Sequence, residues 1–372
     1  MKEGEACPAA DGTRSARQIT LPEVGEEGQA LIAGARIVCV GAGGLGSAAL
    51  PYLASAGVGK ITVVDGDRVS ESNLPRQTLY RFRDVGCEKA TRAQARLMDL
   101  NPEIQVSAIA AYLTAENASK ILAGHDLVLD GTDQFAAKFL INDAAAKLKL
   151  PVVYAAVTGW GGQVAVWDAQ QGSCYRCYQP EAPRNFVPNC AQAGVSGPVA
   201  GVLGLHQAQL ALELILEKKT STPRVRCERG TLWTVDFAPI QVHGFKVSRR
   251  MDCPTCSRGD ASIEAGLPDE SGEIDPQWLA DRDRFSEYQL IDLRETAELA
   301  AGILPGARHW PWSQLKTGAT PPWPIRPERV ILYCQTGVRS EAARAMLSRA
   351  FSAPIRHLRG GIARWPGPLV RG

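Results

Sequence analysis

The sequence has little net charge, no recognisable secretory leader and no long apolar run that is free of polar residues. Its 41 basic and 39 acidic residues leave a formal net charge of +2, which argues against a dedicated nucleic-acid or polyanion binder. Residues 1–17 are polar and charged, so we expect a cytoplasmic protein. The most apolar stretch, 199–216, favours a buried or interface helix over a membrane span. It is interrupted at helical spacing by His206, Gln207, Gln209 and Glu213.

The ten cysteines of this chain are not typical of a disulfide framework. Such frameworks belong to short secreted domains, whereas 372 residues suffice for two domains with cores of their own. Four of the cysteines form two Cys-x-x-Cys pairs, Cys174 with Cys177 and Cys253 with Cys256. Together the pairs offer the four thiolates of a structural zinc site, and redox-active dithiols are the alternative.

Short apolar strands alternate with helical segments in the first half of the chain. Strands are predicted over 36–40, 61–65, 106–109, 126–130 and 151–157, and helices from about residue 45, over 89–100 and over 135–148. This order predicts an α/β fold with a Rossmann-like, doubly wound and mostly parallel sheet. Antiparallel strands are predicted over 163–167 and 232–237.

The composition changes after residue 256. Residues 257–274 are rich in Gly, Ser and acidic side chains, which predicts a linker between domains at 1–256 and 275–372. Strands over 288–293 and 330–333 and a helix over 340–350 predict that the second domain is a smaller α/β unit.

A glycine-rich turn follows the first predicted strand. Its glycines let backbone N–H groups and a helix N-terminus approach a phosphate closely, and they are Gly41, Gly43, Gly44 and Gly46. Asp65, after the second strand, is placed to bind a ribose hydroxyl. A nicotinamide-dependent enzyme would also fit these features.

After Asp65 the chain has more polar residues than a dinucleotide site needs. They are Asp67, Asn73, Arg76, Gln77 and Lys89. These donors and cations suffice to grip a triphosphate, so the pattern favours cleavage of ATP. Asp133 follows the strand 126–130 and faces the same predicted crevice, where a carboxylate beside a triphosphate implies Mg²⁺. Its alternative role is to cap the helix that follows.

Two further cysteines have surroundings of their own. Cys334 lies between a buried strand and a helix, where the helix N-terminus, loop N–H groups and Arg339 favour a thiolate. Four residues separate Cys334 from Arg339, whereas tyrosine phosphatases have five in such a loop. Cys190 lies in the Pro-rich stretch 180–198, which has loop composition.

Residues 17–256 resemble the MoeB/ThiF family, which is related to ubiquitin-activating enzymes. The resemblance rests on the glycine turn, Asp65-Gly-Asp67, Ser72-Asn-Leu-Pro-Arg-Gln77, Val85-Gly-Cys-Glu-Lys89 and Leu129-Asp-Gly-Thr-Asp133. It implies adenylation of the C-terminal glycine of a small ubiquitin-like sulfur-carrier protein that ends in Gly-Gly. It assigns the ribose to Asp65, the phosphates to Arg76 and Lys89, and the catalytic magnesium to Asp133.

The same resemblance implies roles for two more residues and supports the zinc interpretation of the four paired cysteines. Cys190 matches a cysteine on a loop that crosses the adenylate, where it is an acyl-accepting nucleophile in some branches and an unreactive residue in others. Arg17 matches an arginine that family members lend across a homodimer interface to the partner's ATP.

Residues 275–372 resemble rhodanese sulfurtransferases. The resemblance rests on the Cys334 loop, Leu290-Ile-Asp-Leu-Arg294, Leu304-Pro-Gly-Ala307 and Leu358-Arg-Gly-Gly-Ile-Ala-Arg-Trp365. It implies that Cys334 takes sulfur as a persulfide, from a cysteine desulfurase or thiosulfate, and delivers it as a thiocarboxylate on the carrier. Alternatives are an inactive rhodanese-like module for docking or regulation beside an active adenylyltransferase, and a redox-regulated binding module without turnover.

Overall fold

The structure is a computed structural model that describes residues 14–180, 194–220, 225–257, 272–274, 276–280, 288–351 and 355–370. These residues form two compact units, one within 14–257 and one within 272–370. Cys190 and residues 258–271 of the predicted linker lie outside the described residues.

The first unit is built on a sheet of eight described strands. These are β1 Arg36–Val40, β2 Lys60–Val64, β3 Gln105–Ile109, β4 Leu127–Asp130, β5 Val152–Thr158, β6 Gly161–Trp167, β7 Thr231–Phe237 and β8 Ile240–Lys246. Their order is β3-β2-β1-β4-β5-β6-β7-β8, with parallel pairing from β3 to β5 and antiparallel pairing from β5 to β8. The Rossmann-like, mostly parallel sheet is thereby confirmed, as are the two antiparallel strands. The sequence analysis did not predict β8, whose residues are all exposed and carry no buried apolar face.

Helices cover this sheet and position its loops. They are α1 Ala16–Ile19, α2 Gly25–Gly34, α3 Gly44–Ala56, α4 Lys89–Leu100, α5 Ala115–Leu122, α6 Phe135–Lys147, α7 Tyr175–Tyr178 and α8 Gly197–Leu216. The core between the sheet and α3 and α8 contains fully buried Ile37, Leu50 and Leu203.

The apolar stretch 199–216 is part of α8, as predicted. Among the described helices, α8 alone is long and apolar enough to cross a membrane, but 61% of its most apolar window is buried inside the structure. Its Gln207 is fully buried, and the side-chain amide donates to the carbonyl oxygens of Asp130 and Val153 at 2.8 and 2.9 Å. The helix begins at Gly197, so the loop predicted over 180–198 ends two residues early.

The second unit has a five-stranded, parallel sheet among its described residues, in the order β11-β10-β12-β13-β9. The strands are β9 Glu273–Ile274, β10 Gln289–Asp292, β11 Arg308–His309, β12 Val330–Tyr333 and β13 Arg356–Leu358. The helices are α9 Pro276–Leu279, α10 Trp312–Lys316 and α11 Val338–Phe351. Strand β12 is buried on both faces, because Leu332 packs in one apolar cluster and Ile331 in another. The smaller α/β unit predicted after the linker is confirmed.

Candidate functional site

The glycine turn lies against the turn that carries Asp133. Strands β1 and β4 are parallel neighbours, with Val40 opposite Asp130, so both turns leave the same edge of the sheet. Gly41 has φ +92°, and a Cβ there would lie 2.7 Å from the carbonyl group of Gly131. Only glycine allows this backbone-to-backbone approach, which brings Gly131 and Thr132, the residues before Asp133, against the glycine turn.

The start of α3 offers an approach for an anion. The helix begins at Gly44, with Gly43 as its N-cap, so the first N–H groups of the helix have no partner within it. A Cβ on Gly43 would meet only the Nε2 of Gln77, at 3.7 Å, so the turn is open in front of this residue.

Asp65 braces this turn. Its two carboxylate oxygens accept the N–H groups of Ala42 and Asp67, both at 2.8 Å. Burial raises the pKa of Asp65, and the nearby Lys89 opposes that rise. The carboxylate therefore fixes the β1–α3 connection, and its binding of a ribose stays a prediction.

Lys89 and Asp67 form a pair at the start of α4. The Lys89 ammonium is buried and lies 2.9 Å from one carboxylate oxygen of Asp67. The hydroxyl of Tyr112 donates to the other oxygen at 2.5 Å. Sequence analysis missed Tyr112, which follows β3 and belongs to no motif. Its ring packs over Gly66, where a Cβ would lie 2.7 Å from it.

The segment from Asn73 to Gln77 also reaches the glycine turn. The main chain of Arg76 lies beside Gly44, and its guanidinium donates to the carbonyl oxygen of Ser72 at 3.0 Å. No carboxylate of the described residues pairs with Arg76. Gln77 is buried near Gly43, and its Oε1 has no hydrogen-bond partner among the described residues. A guanidinium without a carboxylate partner and an open helix N-terminus fit a bound polyphosphate. The acceptor oxygen of Gln77 fits a donor, such as a ribose hydroxyl, and not a phosphate oxygen. Asn73 uses its Oδ1 to accept the N–H of Ser70 at 3.2 Å.

Asp130 and Asp133 sit three residues apart in different environments. Asp130 is buried and accepts from the Lys138 ammonium at 2.9 Å and the Thr132 hydroxyl at 2.6 Å. Asp133 is exposed, and no described side chain is bonded to it. The N-cap of α6 is Gln134, without a side-chain capping bond, so the capping alternative for Asp133 is not observed. Its carboxylate is available to a ligand.

Arg17 is not brought to the glycine turn of its own chain. It lies exposed on α1, and its neighbour Gln18 donates to the carbonyl oxygen of Ala56 at the last residue of α3. The thirteen residues of α3 span about 20 Å, with Gly44 at the opposite end.

The four paired cysteines converge on one point. All of their Sγ atoms lie within 4.8 Å of one another, and the nearest pairs are 3.3 to 3.9 Å apart. Tetrahedral thiolates around zinc would be separated by about 3.8 Å, whereas a disulfide needs about 2.05 Å. The arrangement fits a zinc ion and is not that of two disulfides.

Helix α6 connects this cluster to the Asp133 turn. The carboxylate of Asp143 accepts from the Arg176 guanidinium, at 2.7 to 3.1 Å, and from the Thr255 hydroxyl at 2.7 Å. Arg176 and Thr255 belong to different cysteine pairs. The N–H of Tyr175 donates to Asn142 at 2.7 Å. One helix therefore holds both pairs and begins beside Asp133.

Cys334 lies in a loop between β12 and α11, as predicted. Its side chain is buried, its Sγ accepts the N–H of Gly337 at 3.2 Å, and the hydroxyl of Ser340 lies 3.7 Å away. Arg339 makes two bonds of 2.6 Å to Glu298, which the sequence analysis did not single out. The Arg339 pKa is raised, chiefly by Glu298 and further by the nearby Cys334.

A buried histidine lies behind this loop. The Nδ1 of His357 is 3.5 Å from the Ser340 hydroxyl, and its Nε2 is 3.8 Å from the Glu273 carboxylate. Burial lowers the pKa of His357 to about 3, and the charges of Arg344 and Arg359 act in the same direction. The ring is neutral at ordinary pH.

Two family models match this chain. Residues 15–255 match the ThiF family and residues 275–367 match the rhodanese-like domain. The chain belongs to the ThiF family and carries a rhodanese-like domain after it, which confirms both resemblances drawn from the motifs.

Relatives share either the whole length or the first part. The adenylyltransferase and sulfurtransferase UBA4 of Yarrowia lipolytica is 34% identical, over 95% of this chain and 92% of its own. The probable adenylyltransferase/sulfurtransferase MoeZ of Mycobacterium tuberculosis is 33% identical over the same shares. A sulfur carrier protein adenylyltransferase of Thermus thermophilus is 43% identical, over 68% of this chain and 93% of its own.

Solved structures share the fold. The crystal structure of E. coli MccB with ATP covers 66% of this chain and 75% of its own, with a TM-score of 0.55 and 20% identity. MccB with the MccA-N7isoASN peptide gives a TM-score of 0.58, also at 20% identity, over 67% of this chain and 76% of its own.

Proposed function

We propose that this protein adenylates the C-terminal glycine of a small ubiquitin-like sulfur carrier and then converts that glycine to a thiocarboxylate. Relatives along nearly the whole chain are named adenylyltransferases and sulfurtransferases, which supports both halves of the proposal. The observation that carries it is the free carboxylate of Asp133 beside an open glycine turn, in a chain that also holds the Cys334 loop.

In the first step, a carboxylate oxygen of the carrier attacks the α-phosphate of ATP, and pyrophosphate leaves. The chain needs no nucleophile of its own here, so its residues act by position and charge. We assign the phosphates to Arg76, Lys89 and the N–H groups at Gly43 and Gly44. Lys89 would exchange part of its contact with Asp67 for this role. The ribose is assigned to Asp65, with Asn73 and Gln77 lining the site.

We assign two metal sites in the first unit. Asp133 would hold magnesium, which neutralises phosphate charge when bound. Zinc would be held by Cys174, Cys177, Cys253 and Cys256 and would tie two distant chain segments to α6.

In the second step, Cys334 carries a persulfide. Its outer sulfur attacks the acyl carbon, AMP leaves, and an acyl disulfide joins the carrier to Cys334. A second thiolate then attacks the Cys334 sulfur, which releases the thiocarboxylate and leaves a disulfide. We assign that thiolate to Cys190.

We further propose a cytoplasmic homodimer in which Arg17 serves the partner's site. Its distance from Gly44 of its own chain supports a role across an interface. Helices α3 and α8 pack together, and each also has exposed apolar side chains: Tyr52 of α3 is 62% exposed, and Val202 and Leu205 of α8 are 46% and 37% exposed. We assign these side chains to the dimer interface.

ATP–pyrophosphate exchange tests the first step. We expect exchange only with Mg²⁺ and a carrier that ends in free Gly-Gly. Absence of exchange with any such carrier would leave a binding module and contradict the proposal. If ATP–pyrophosphate exchange occurs but neither thiosulfate nor a desulfurase forms a persulfide on Cys334, the second domain would serve only for docking or regulation.

A further inference from the structure

The cationic charge of the loop that holds Cys334 is neutralised in this structure. Arg339 is the one charged residue of the loop 334–339, and Glu298 binds its guanidinium through two bonds of 2.6 Å. Both side chains are partly exposed, at 27% and 33%. The pair therefore lies where the loop meets solvent, with Arg339 close to Cys334. We take this side, called the loop mouth below, as the side from which a sulfur donor arrives.

Glu298 is firmly held in this position. Its carboxylate also accepts the N–H of Glu295 at 2.8 Å, and its backbone oxygen accepts from Arg294 at 3.2 Å. Arg294 is itself anchored on buried Asp292 by bonds of 2.7 to 3.1 Å. Arg339 lowers the pKa of Glu298 to about 2, so the carboxylate is ionised at any ordinary pH.

The two classes of sulfur donor differ in the charge that they bring. Thiosulfate is a dianion and releases sulfite: the Cys334 thiolate attacks its outer sulfur, the new S–S bond forms, and sulfite leaves with the electron pair. A thiol-borne persulfide brings at most one charge at the reacting end: its outer sulfur passes to Cys334 and a thiolate leaves. An anion at the loop mouth disfavours the dianion more, since the Coulomb energy scales with charge.

We propose that Glu298 is a specificity-determining residue that neutralises Arg339 and so selects a persulfide carried on a thiol over free thiosulfate. The inference rests on the proposed sulfur transfer through Cys334. Glu298 does not touch the reacting atoms, and its effect passes through the charge of Arg339.

The test compares two donors with the full-length chain: thiosulfate and glutathione persulfide, whose carboxylates lie several bonds from its outer sulfur. Persulfide formation on Cys334 is followed by mass spectrometry. Glu298→Gln should raise kcat/KM for thiosulfate about tenfold at low salt, mainly through KM, and change that for glutathione persulfide far less. The gain should shrink as salt screens the charge.

Glu295→Gln is the matched control. It removes the same charge from the same short helix, Thr296–Ala301 and its N-cap, but Glu295 binds Ser313 and not Arg339. We expect no gain from it, and we expect the double variant Glu298→Gln/Arg339→Gln to lose the gain of the single one.

Three results would overturn the inference. They are an unchanged donor preference in Glu298→Gln, an equal gain in Glu295→Gln, or a parallel loss of rate with both donors, as a merely structural role predicts. If Cys334 accepts sulfur from neither donor in the wild-type chain, the proposed sulfur transfer fails together with the inference. Normal persulfide formation with unchanged preference defeats the inference alone.

Discussion

The two aspartates of the turn after β4 differ in their surroundings and therefore in their expected roles. Asp130 is surrounded by protein and compensates buried Lys138, whereas Asp133 reaches solvent beside the glycine turn. A buried carboxylate paired in this way contributes to stability, and an exposed one without a partner contributes little. Removal of the Asp133 carboxylate should therefore impair activity, and removal of the Asp130 carboxylate should impair stability.

Asp133→Ala should abolish ATP–pyrophosphate exchange while the free energy of unfolding stays within about 0.5 kcal/mol of wild type. Asp130→Asn is the contrasting variant. It leaves the Lys138 charge buried without its partner, which costs about 3–5 kcal/mol. Exchange assays and chemical unfolding would show both effects. Near-normal exchange in Asp133→Ala would exclude its assigned role.

His357 predicts that the second unit is sensitive to acid. Its pKa of about 3 in the folded state lies below the ordinary 6.5, so the unfolded chain takes up the proton first as pH falls. Stability should therefore decrease from pH 6.5 downward, by at most about 1.4 kcal/mol per pH unit. The groups that face the ring are Arg344, Arg359, Glu273 and the Ser340 hydroxyl.

Amide exchange of β12 in the full chain measures this effect, after correction for the intrinsic rate at each pH. The useful window is pH 6.5 to 4.5, because Glu298, whose ordinary pKa is 4.5, adds its own loss of stability below that value. His357→Asn, which keeps a polar group near Ser340, should flatten the dependence. An equally steep dependence in that variant would mean that another group titrates.

At the scale of elements, α6 joins two sites that the sequence shows as separate motifs. Its first residue follows the Asp133 turn, and Asn142 and Asp143 hold the cysteine pairs. The cysteine cluster and α6 therefore hold one another, and the same helix begins beside the candidate magnesium ligand.

Asp143→Ala should release zinc to a chelator faster than wild type and lower the free energy of unfolding by about 3–5 kcal/mol, because it removes the carboxylate that balances the buried Arg176 charge. Thr255→Val removes a single hydrogen bond from the same carboxylate and should cost about 1 kcal/mol. Zinc release followed with a metal-binding dye and chemical unfolding measure these effects. Wild-type release and stability in Asp143→Ala would contradict the anchoring role.

Elements with a strong local pattern were predictable, and contacts between distant segments were not. Strand 36–40 has the predicted bounds because a continuous apolar run ends at the glycine turn, and helix 89–100 has them because its buried residues recur at helical spacing. Strand β8 was missed because an exposed edge strand lacks a buried face. The Cys-x-x-Cys spacing predicted the cluster that the structure assembles from both pairs.

Pairings across the fold carried no local signal. Lys138 lies in an apolar helix, and nothing in its neighbourhood of the chain indicates that it pairs with Asp130. Likewise, Tyr112 contacts Asp67 and Glu298 contacts Arg339 only after folding. Glu298 neutralises the Arg339 charge. The residues that carry the chemistry could be named from motifs. The residues that pair with them and change their charge could be identified only from the tertiary structure.

At the scale of the whole molecule, the position of Arg17 predicts sharing of sites between subunits. Arg17→Ala and Asp133→Ala chains should each be inactive alone. Mixed dimers would contain one site with both residues intact, so subunit exchange should restore up to about a quarter of wild-type exchange activity in an equal mixture, by random pairing. Mass-labelled chains confirm the exchange. No recovery after confirmed mixing would place Arg17 outside the partner's site.

Whether one protein both adenylates and thiolates a carrier is decided by the intact mass of a Gly-Gly carrier after incubation with ATP, Mg²⁺, a sulfur donor and the enzyme. We expect a carrier in which one sulfur replaces one C-terminal oxygen, in amounts exceeding the enzyme when a reductant is present. Cys334→Ala should give pyrophosphate exchange without this product, and Asp133→Ala should give neither. Thiocarboxylate formed at the wild-type rate by Cys334→Ala, or no thiocarboxylate from the wild-type enzyme with any carrier, would contradict the account.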